Sequence, residues 1–515
     1  MVPLGGYVGT KGYRNVWYLE PLPARGGMLG STVINQFEGH RFQREEDLFV
    51  RETTQNAIDN PSEGPKGRAA QKPRIVFRLV TLEGAKKTRF LKNTDLKELF
   101  DNDALLRKAD KDNELKAIGA ASSISLLYIE DFNTTGLDGR IADPKSNWMR
   151  FNLHGDAQKL EEELKIGSYG YGKSVLARAA GTRSFIVFTA IKPNSHDGHG
   201  YRLMGHTFQN LFEDEGDAFS GRGWFCENND AKGDPIPFTG RNAKTLAVEL
   251  GFADRDSSDT GTSFLLIGTR PAKQQLSIAS IRHAVETWWW PSLLDDRIDV
   301  EFWENGVQQD GAAPRMRSDL RPYIECKAKL DGGVNEDVKD VAFQQYERKK
   351  LGSLGLTLAA DESIFGDRTH PKAPGPRRVA RTRARSGMIT EYRDFGTEKR
   401  VAFVGFYCAD DDIDKALKLS EPSTHDEWSP VSQRLTRFPN GKEIVETVEE
   451  RTRVACYNFQ RANSAARAPV SERLPQLERL LGAAFDPGRG LPPGPNRGPK
   501  KAEQFTAVEY PGSST

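Results

Sequence analysis

The chain is poor in cysteine, in net charge and in long apolar runs, and each shortage closes a class of function. Its 515 residues include four cysteines, Cys226, Cys326, Cys408 and Cys456, all far apart. No CxxC pair occurs, which removes zinc knuckles and dithiol redox motifs and leaves buried thiols in a reducing compartment. Lys and Arg total 73 against 72 Asp and Glu, a formal net charge of +1. So balanced a chain offers no global electrostatic case for nucleic acid or membrane, and any basic patch has to be argued locally. No apolar run approaches a membrane span, so no membrane partner is expected. The opening MVPLGGYVGTKGYRNVW lacks the charged-then-apolar pattern of a secretory signal, and a cytoplasmic protein is expected. His196 and His199, in NSHDGHG, have no partner ligands at metal spacing, which argues against zinc there.

Against these shortages stands one dense stretch, LFVRETTQNAIDN. Glu52, Asn56 and Asp59 lie four and seven positions apart, so a helix brings them to one face. Val50, Ala57 and Ile58 fall roughly opposite, toward a core. Such a polar face suits a magnesium ion and a water beside a phosphate chain. Asn56 offers the neutral oxygen that a hard cation accepts. Glu52 offers a base to orient or deprotonate the water. A solvated helix face is the plain alternative, and the downstream segments weigh against it.

The chain is long enough for two or three domains with full cores. IVFRLVTL, ISLLYIEDF, SFIVFTA and TSFLLIG read as strands; the charged region from Lys86 to Lys116 and VLARAAG read as helical. The order helix, strand, strand, helix, strand, strand predicts an α+β layer with helices on one sheet face. From Leu276 a second α/β region is expected. IASIRHAVETWWWPSLL should be a helix ending at Pro291, IDVEFWENG a strand and turn, and KRVAFVGFYC and RVACYNF further strands. Trp288, Trp289 and Trp290 cannot all point one way from a helix, so some must pack against another domain or lie at an interface. From Asp486, DPGRGLPPGPNRGPKK reads as an extended tail. The expected domains are therefore 1–275, 276–485 and a flexible tail, 486–515.

Residues Gly167 to Ser174, GSYGYGKS, match the P-loop pattern letter for letter. In that reading Lys173 reaches the terminal phosphates and Ser174 holds magnesium. A P-loop follows a buried strand, however. Here the charged, helix-like QKLEEELKI precedes it, and the acid-ended strand LLYIED lies upstream.

A second reading uses every segment in its order. ETTQNAID, IEDFNTTGL, GSYGYGKS and DTGTSFLLIG together resemble the Bergerat-type ATP-binding domain of the GHKL superfamily. That superfamily includes gyrase, the large heat-shock chaperone, MutL and MORC proteins and sensor histidine kinases. The resemblance spans roughly residues 30 to 270. It implies an α+β fold: a Bergerat-type α/β sandwich followed by a transducer-like α/β domain, with ATP and Mg2+ bound. It also implies that Glu52 is the general base of an ATPase and Asn56 the magnesium ligand, with Asp59 beside them. Asp131 would take the adenine amino group, with Asn133, Thr135, Gly136 and Leu137 forming the adjoining turn. Gly167, Ser168, Tyr169, Gly170, Tyr171, Gly172, Lys173 and Ser174 would form a lid over the phosphates, whose glycines let backbone N–H groups approach the anions. Gly261 and Thr262 match the family's final Gly-Thr pair near the base. The sequence departs from the family at Asp-x-Gly-x-Gly, which becomes Asp131-Phe132-Asn133-Thr134-Thr135-Gly136. Asn133 replaces the first glycine and one residue is added before Gly136. Asparagine tolerates left-handed backbone, so the turn is expected to survive.

The resemblance further implies a homodimer formed on ATP binding, and a transducer lysine that reaches the γ-phosphate. The sequence does not single that lysine out. Lys372, Arg377, Arg378, Arg381, Arg383 and Arg385 crowd one span as a phosphate-sensing loop, a contact for nucleic acid or another subunit, or a solvated turn. Interleaved aromatics are absent, which argues against single-strand binding. Of the histidines, only His40 precedes the ATP-binding segment, with no room for a phospho-accepting hairpin, so a kinase is not expected. The expected function is a Mg-dependent ATPase whose lid closure and dimerisation act as a switch or clamp in a repair or defence complex. A nucleotide-binding scaffold without turnover is the alternative.

Overall fold

The computed structural model describes residues 16–22, 28–35, 44–62, 71–152, 172–192, 199–229, 234–256, 258–269, 276–359, 361–366, 372–396, 401–422 and 424–467. His40, QKLEEELKI, residues 167–171, His196 and the tail from Asp486 lie outside them. The described residues up to Gln460 form one compact unit, and those of the second unit, 461–467, are helical.

The buried strand Ser123–Phe132 lies between Arg74–Glu83 and Gly261–Ile267, antiparallel to both. The sheet continues on one side through Ser184–Ala190, Tyr201–Phe208 and Asp217–Cys226 to Val16–Pro21. On the other it runs through Arg74–Glu83 to Asp299–Glu304 and Val307–Gln308. Successive residues of the strand enter different cores. Leu127 and Ile129 join Phe185, Val187, Phe264 and Leu266, whereas Leu126 and Tyr128 join Ile186, Phe188, Leu265 and Ile267. A strand apolar at consecutive positions is buried on both faces. Helices accordingly cover both, which corrects the expected one-sided layer. Gly30–Asn35, Glu45–Asp59, Gly172–Ala179 and Ile278–Leu294 lie on the first face. Gly84–Asn93, Lys97–Phe100, Asp103–Lys108 and Gly240–Glu249 lie on the second.

The first sheet draws an edge from beyond residue 275. Asp299–Glu304 pairs in parallel with Arg74–Glu83, from Asp299 opposite Arg74 to Glu304 opposite Leu79. The chain reaches that edge through the tryptophan helix, Ile278–Leu294, which Ser277 and Ser280 cap reciprocally. The helix runs past Pro291 to Leu294 instead of ending at the proline. Pro291 has no N–H, so the Thr287 carbonyl loses its helical partner. Tyr392 fills that gap, its hydroxyl donating to Thr287 O at 2.7 Å and accepting from Trp290 Nε1 at 3.1 Å. All three tryptophans are fully buried. Trp288 meets Tyr392 edge-on at 5.7 Å, and Trp290 lies 5.1 Å from Phe406, both partners being in the second sheet region. The tryptophans therefore form the packing between the two sheets, as their sequence suggested.

The second sheet orders its strands Lys339–Ala342, Ser353–Leu358, Phe403–Cys408, Arg378–Thr382 and Ile389–Asp394. Its far face packs on the helices Asp411–Ser420 and Gly441–Arg467. RVACYNF belongs to the latter helix and is not a strand. Ile444, Val445, Val448, Cys456 and Phe459 are buried at helical spacing, while Val454 and Tyr457 face outward. A seven-residue window was too short to separate the two periodicities.

The basic run is a strand, Arg378–Thr382, flanked by turns, and most of its charges are not solvated. Arg378, Arg381 and Arg383 are buried. Arg381 pairs with Glu391 across the strands and with Glu449 at 2.7 Å; Arg383 meets Glu421 at 2.7 Å and Asp414 at 3.1 Å. Lys372 binds Asp426 at 2.5 Å and Arg377 meets Glu362 at 3.3 Å. Arg385 is exposed and pairs with Asp411 at 2.9 Å. Internal carboxylates thus engage the charges that the sequence offered to a nucleic acid or another subunit. A stretch of arginines marks a solvated face only when no acidic partners fold over it.

Tyr392→Phe removes the hydroxyl that satisfies both Thr287 and Trp290. A loss of ~1–3 kcal/mol is expected, read as a lower urea midpoint at unchanged slope. An unchanged midpoint would mean that another group satisfies the proline gap.

Candidate functional site

The helix Glu45–Asp59 is buried nearly all round, so the solvated-face alternative falls. Val50 and Ala57 sit in the core, and Glu52 is only 6% exposed. Asn56, Ile58 and Asp59 are half-buried. One oxygen each of Glu52 and Asp59, Oε1 and Oδ2, is buried without a hydrogen-bond partner among the described residues. Both amide atoms of Gln55, between them on the helix, are in the same condition. Three neighbouring polar groups are thus buried without satisfaction, a costly arrangement that is expected where a site awaits ligand or water. Burial pushes the Glu52 carboxyl above its usual range, against the pull of His425 and Arg51. Burial also raises Asp59 to about 7, opposed by Lys418, Arg383 and His425.

The end of this helix is bonded to the loop after the Asp131 strand. Thr135 N donates to Asn60 O at 2.9 Å, and Ser62 N to Asn133 O at 2.8 Å. Asn133 takes a left-handed backbone, φ 62°, where the family pattern has glycine, and its side chain donates to Lys72 O at 2.9 Å. The expected turn is therefore formed by the residue that replaces the glycine. Gly136, also left-handed, lies so close to Ala190 O and Thr189 Oγ1 that a Cβ would stand 2.7 Å from each. Leu137 N then receives a contact from the same threonine, donating to Thr189 Oγ1 at 2.9 Å.

The Gly-Thr segment meets the same loop. Thr262 N donates to Asp131 Oδ1 at 2.9 Å, the Thr134 hydroxyl donates to that oxygen too, and Thr260 Oγ1 donates to Thr134 O at 2.6 Å. Sequence reasoning missed Arg255, which secures this corner. It is fully buried, lies 4.1 Å over the Phe132 ring, and donates to Asp131 O at 2.6 Å and Ser263 Oγ at 2.8 Å. Burial raises the Asp131 carboxyl, while Arg255 and the two donors favour its ionised form. Arg255 sits in ADRDSSDTG, where an arginine among acids gives no signal of its burial.

The third segment is partly described. Gly172, Lys173 and Ser174 open the helix Gly172–Ala179, whose neighbours are the helices Gly30–Asn35 and Glu45–Asp59. Gly167, Ser168, Tyr169, Gly170 and Tyr171 lie outside the described residues. Lys173 is buried, and burial of His206, together with the charges of Lys173 and Arg222, depresses the proton affinity of that ring. Ser174 is fully buried, and its hydroxyl donates to the Val33 carbonyl. That bond turns the serine into the protein, away from the magnesium role of the P-loop reading.

His425, Glu421 and Arg383, from the second sheet region, also adjoin the Glu52 helix. The Arg51 guanidinium lies 4.5 Å over Trp288 and donates to the carbonyls of Ile389 at 2.8 Å, Thr390 at 3.1 Å and His425. Arg51 and His425 are 374 positions apart. No spacing rule links them.

Three of the four motif segments thus converge at one end of a mixed sheet flanked by helices, an α/β sandwich with a second α/β layer after it. That is the architecture expected of the GHKL class. No family model matches the chain, and no curated protein matches it. Among solved structures it is similar to the ATPase region of Saccharomyces cerevisiae topoisomerase II. One structure, bound to ICRF-187 (dexrazoxane), has 10% identity and a TM-score of 0.35, covering 80% of this chain and 86% of that one. Another of the same region has 11% identity and a TM-score of 0.35, covering 81% and 85%. The ATPase and transducer domains of Balamuthia mandrillaris topoisomerase II give 11% identity and a TM-score of 0.31 over 81% and 86%. Superposition at these scores is loose, and the functional reading rests on the residues. Among the described residues no helix is long and apolar enough to cross a membrane.

Gly261→Ala tests the corner directly. Its methyl would lie 2.2 Å from Asp131 O and 2.7 Å from both Asp131 Oδ1 and Arg255 Nη1. Displacement of the loop and a loss of ~1–3 kcal/mol are expected. Unfolding midpoints check it; wild-type stability would mean that the close approach is not a constraint.

Proposed function

We propose that the protein is a magnesium-dependent ATPase of the GHKL type. The supporting observation is the hydrogen-bonded convergence of the Glu52 helix, the Asp131 loop and the Gly261–Thr262 strand, beside buried polar atoms that lack partners. Asp131 recognises the base. Thr262 N–H and the Thr134 hydroxyl engage one of its oxygens. The other accepts the exocyclic N–H of adenine and repels the carbonyl that guanine carries there.

Glu52 is the general base. Its burial raises its proton affinity toward the working pH, and the nearby positive charges keep the ionised form accessible. It accepts a proton from water as the water attacks the terminal phosphorus; the bond from that phosphorus to the bridging oxygen breaks, and ADP leaves. No group of three His, Cys, Asp or Glu side chains suited to a metal occurs among the described residues. Magnesium held against phosphates needs none, since it takes one or two protein oxygens and keeps its waters. Asn56 would hold it, and the ion would supply charge neutralisation at the phosphates. Residues 167–174 form the lid in this reading, with the N-terminus of the Gly172–Ala179 helix toward the phosphates.

Lid closure and homodimerisation on ATP binding follow from the resemblance; the division at 275 and 485 is read from the sequence pattern, and in it the strand Asp299–Glu304 belongs with the first sheet. The target, a nucleic acid or protein partner of a repair or defence complex, follows from the resemblance too. The internal ion pairs of Arg381 and Arg383 weigh against the 372–385 segment as its docking surface.

Glu52→Ala is expected to lower magnesium-dependent ATP hydrolysis by roughly a hundredfold or more. Equal turnover by both proteins would remove the base role; equal silence, with ATP still bound, would favour a nucleotide-gated scaffold. Chemical crosslinking with a non-hydrolysable ATP analogue should trap a dimer that is absent without nucleotide. A monomer under both conditions would end the clamp reading.

A further inference from the structure

The loop between the helices Asp411–Ser420 and Gly441–Arg467 is fixed at His425 by an unusual set of buried charges. His425 takes a left-handed backbone, φ 51°. Its Nδ1 lies 2.8 Å from Glu421 Oε2, and Glu421 Oε1 accepts from Arg383 Nε at 2.7 Å. Its carbonyl accepts from Arg51, the residue preceding Glu52. The next residue, Asp426, pairs with Lys372 at 2.5 Å. His425, Glu421 and Asp426 are 4%, 1% and 5% exposed.

Desolvating this many charges is costly, and a turn that merely joined two helices has no need of them. The network instead ties the backbone of a titratable residue to Arg51, beside Glu52, one of whose carboxylate oxygens is buried without a partner among the described residues. We infer that His425, clasped between Glu421 and the Glu52 helix, is a positioning residue through which the second sheet region controls the Glu52 base. This rests on the reading of Glu52 as that base.

The electrostatics give the sign. Burial disfavours the charged imidazole, but the hydrogen bond and charge of Glu421, with the charge of Glu52, outweigh it, and the ring's proton affinity ends above its ordinary value. Arg383 opposes this from the second sheet. Asp59 and Arg51 of the Glu52 helix, Lys418 of the helix Asp411–Ser420, and the Asp426–Lys372 pair are further charged groups of this cluster. Protonated His425 favours ionised Glu52. Any movement that withdraws the loop therefore raises the proton affinity of Glu52 further and slows hydrolysis on the acid side. Hydrolysis should rise with pH as Glu52 ionises, and protonated His425 should bring that rise to lower pH.

The test compares wild type, His425→Gln and Glu52→Ala. Loss of the imidazolium shifts the acid limb of the kcat profile to higher pH. On that limb kcat should fall roughly tenfold, the effect of about one unit in the base, with KM for ATP little changed. If Glu52→Ala is inactive while His425→Gln matches wild type in kcat, KM and pH profile, the inference is overturned and the base reading stands. If Glu52→Ala turns over like wild type, the base reading falls and takes the inference with it. A measurement independent of turnover and of the His425 variant's folding is NMR titration of the His425 ring in wild type and Glu52→Gln. Its midpoint should fall in the variant; an unchanged midpoint overturns the inference.

Discussion

Arg51 is the constraint on which the rest of the structure depends. A guanidinium with almost no solvent exposure is costly unless protein answers its N–H groups, and here both Nη groups are answered while Nε is buried without a partner among the described residues. The answers come from Ile389, Thr390 and His425, and the face of the cation rests on Trp288. One side chain therefore joins the Glu52 helix to the tryptophan helix, a strand of the second sheet and the loop before the last helix. Each of those elements is itself held by a buried polar contact: Tyr392 with Thr287, Arg381 with Glu391, Glu421 with Arg383. Around the Glu52 helix, directional bonds set the geometry and apolar packing supplies the bulk of the stability.

The two ends of the candidate site are built differently. The Asp131 corner is local in space and rigid by crowding, with Gly261 and Gly136 allowing backbone approaches that a Cβ would block. The Glu52 end depends on groups from a remote part of the chain. In the proposed function, the Asp131 corner would keep its hold on adenine when the two regions shift, while the competence of Glu52 would respond to the shift. Binding and turnover would then be separable.

What the sequence made legible followed from local rules. The spacing of Glu52, Asn56 and Asp59 belongs to one helix, and strands such as ISLLYIEDF announce themselves by continuous apolar runs. The left-handed tolerance of asparagine anticipated the Asn133 turn. What was not legible was decided by pairing across long separations. Arg381 looks like any surface arginine until Glu391 and Glu449 are set against it. Pro291 ends a helix by local rules, and only Tyr392, 105 positions from Thr287, overrides them. The strand Tyr201–Phe208 was missed because its polar residues, Arg202 and His206, are buried in company that no window contains.

The parallel pairing of Asp299–Glu304 with Arg74–Glu83 bears on how such a protein is inherited. The first sheet is finished by chain that has already passed through the tryptophan helix. A genetic breakpoint between residues 275 and 299 would separate a sheet from its own edge, leaving backbone donors and acceptors open to any strand that met them. The two regions are therefore expected to travel through evolution as one heritable piece, with novelty arriving by insertion into loops and not by exchange of halves.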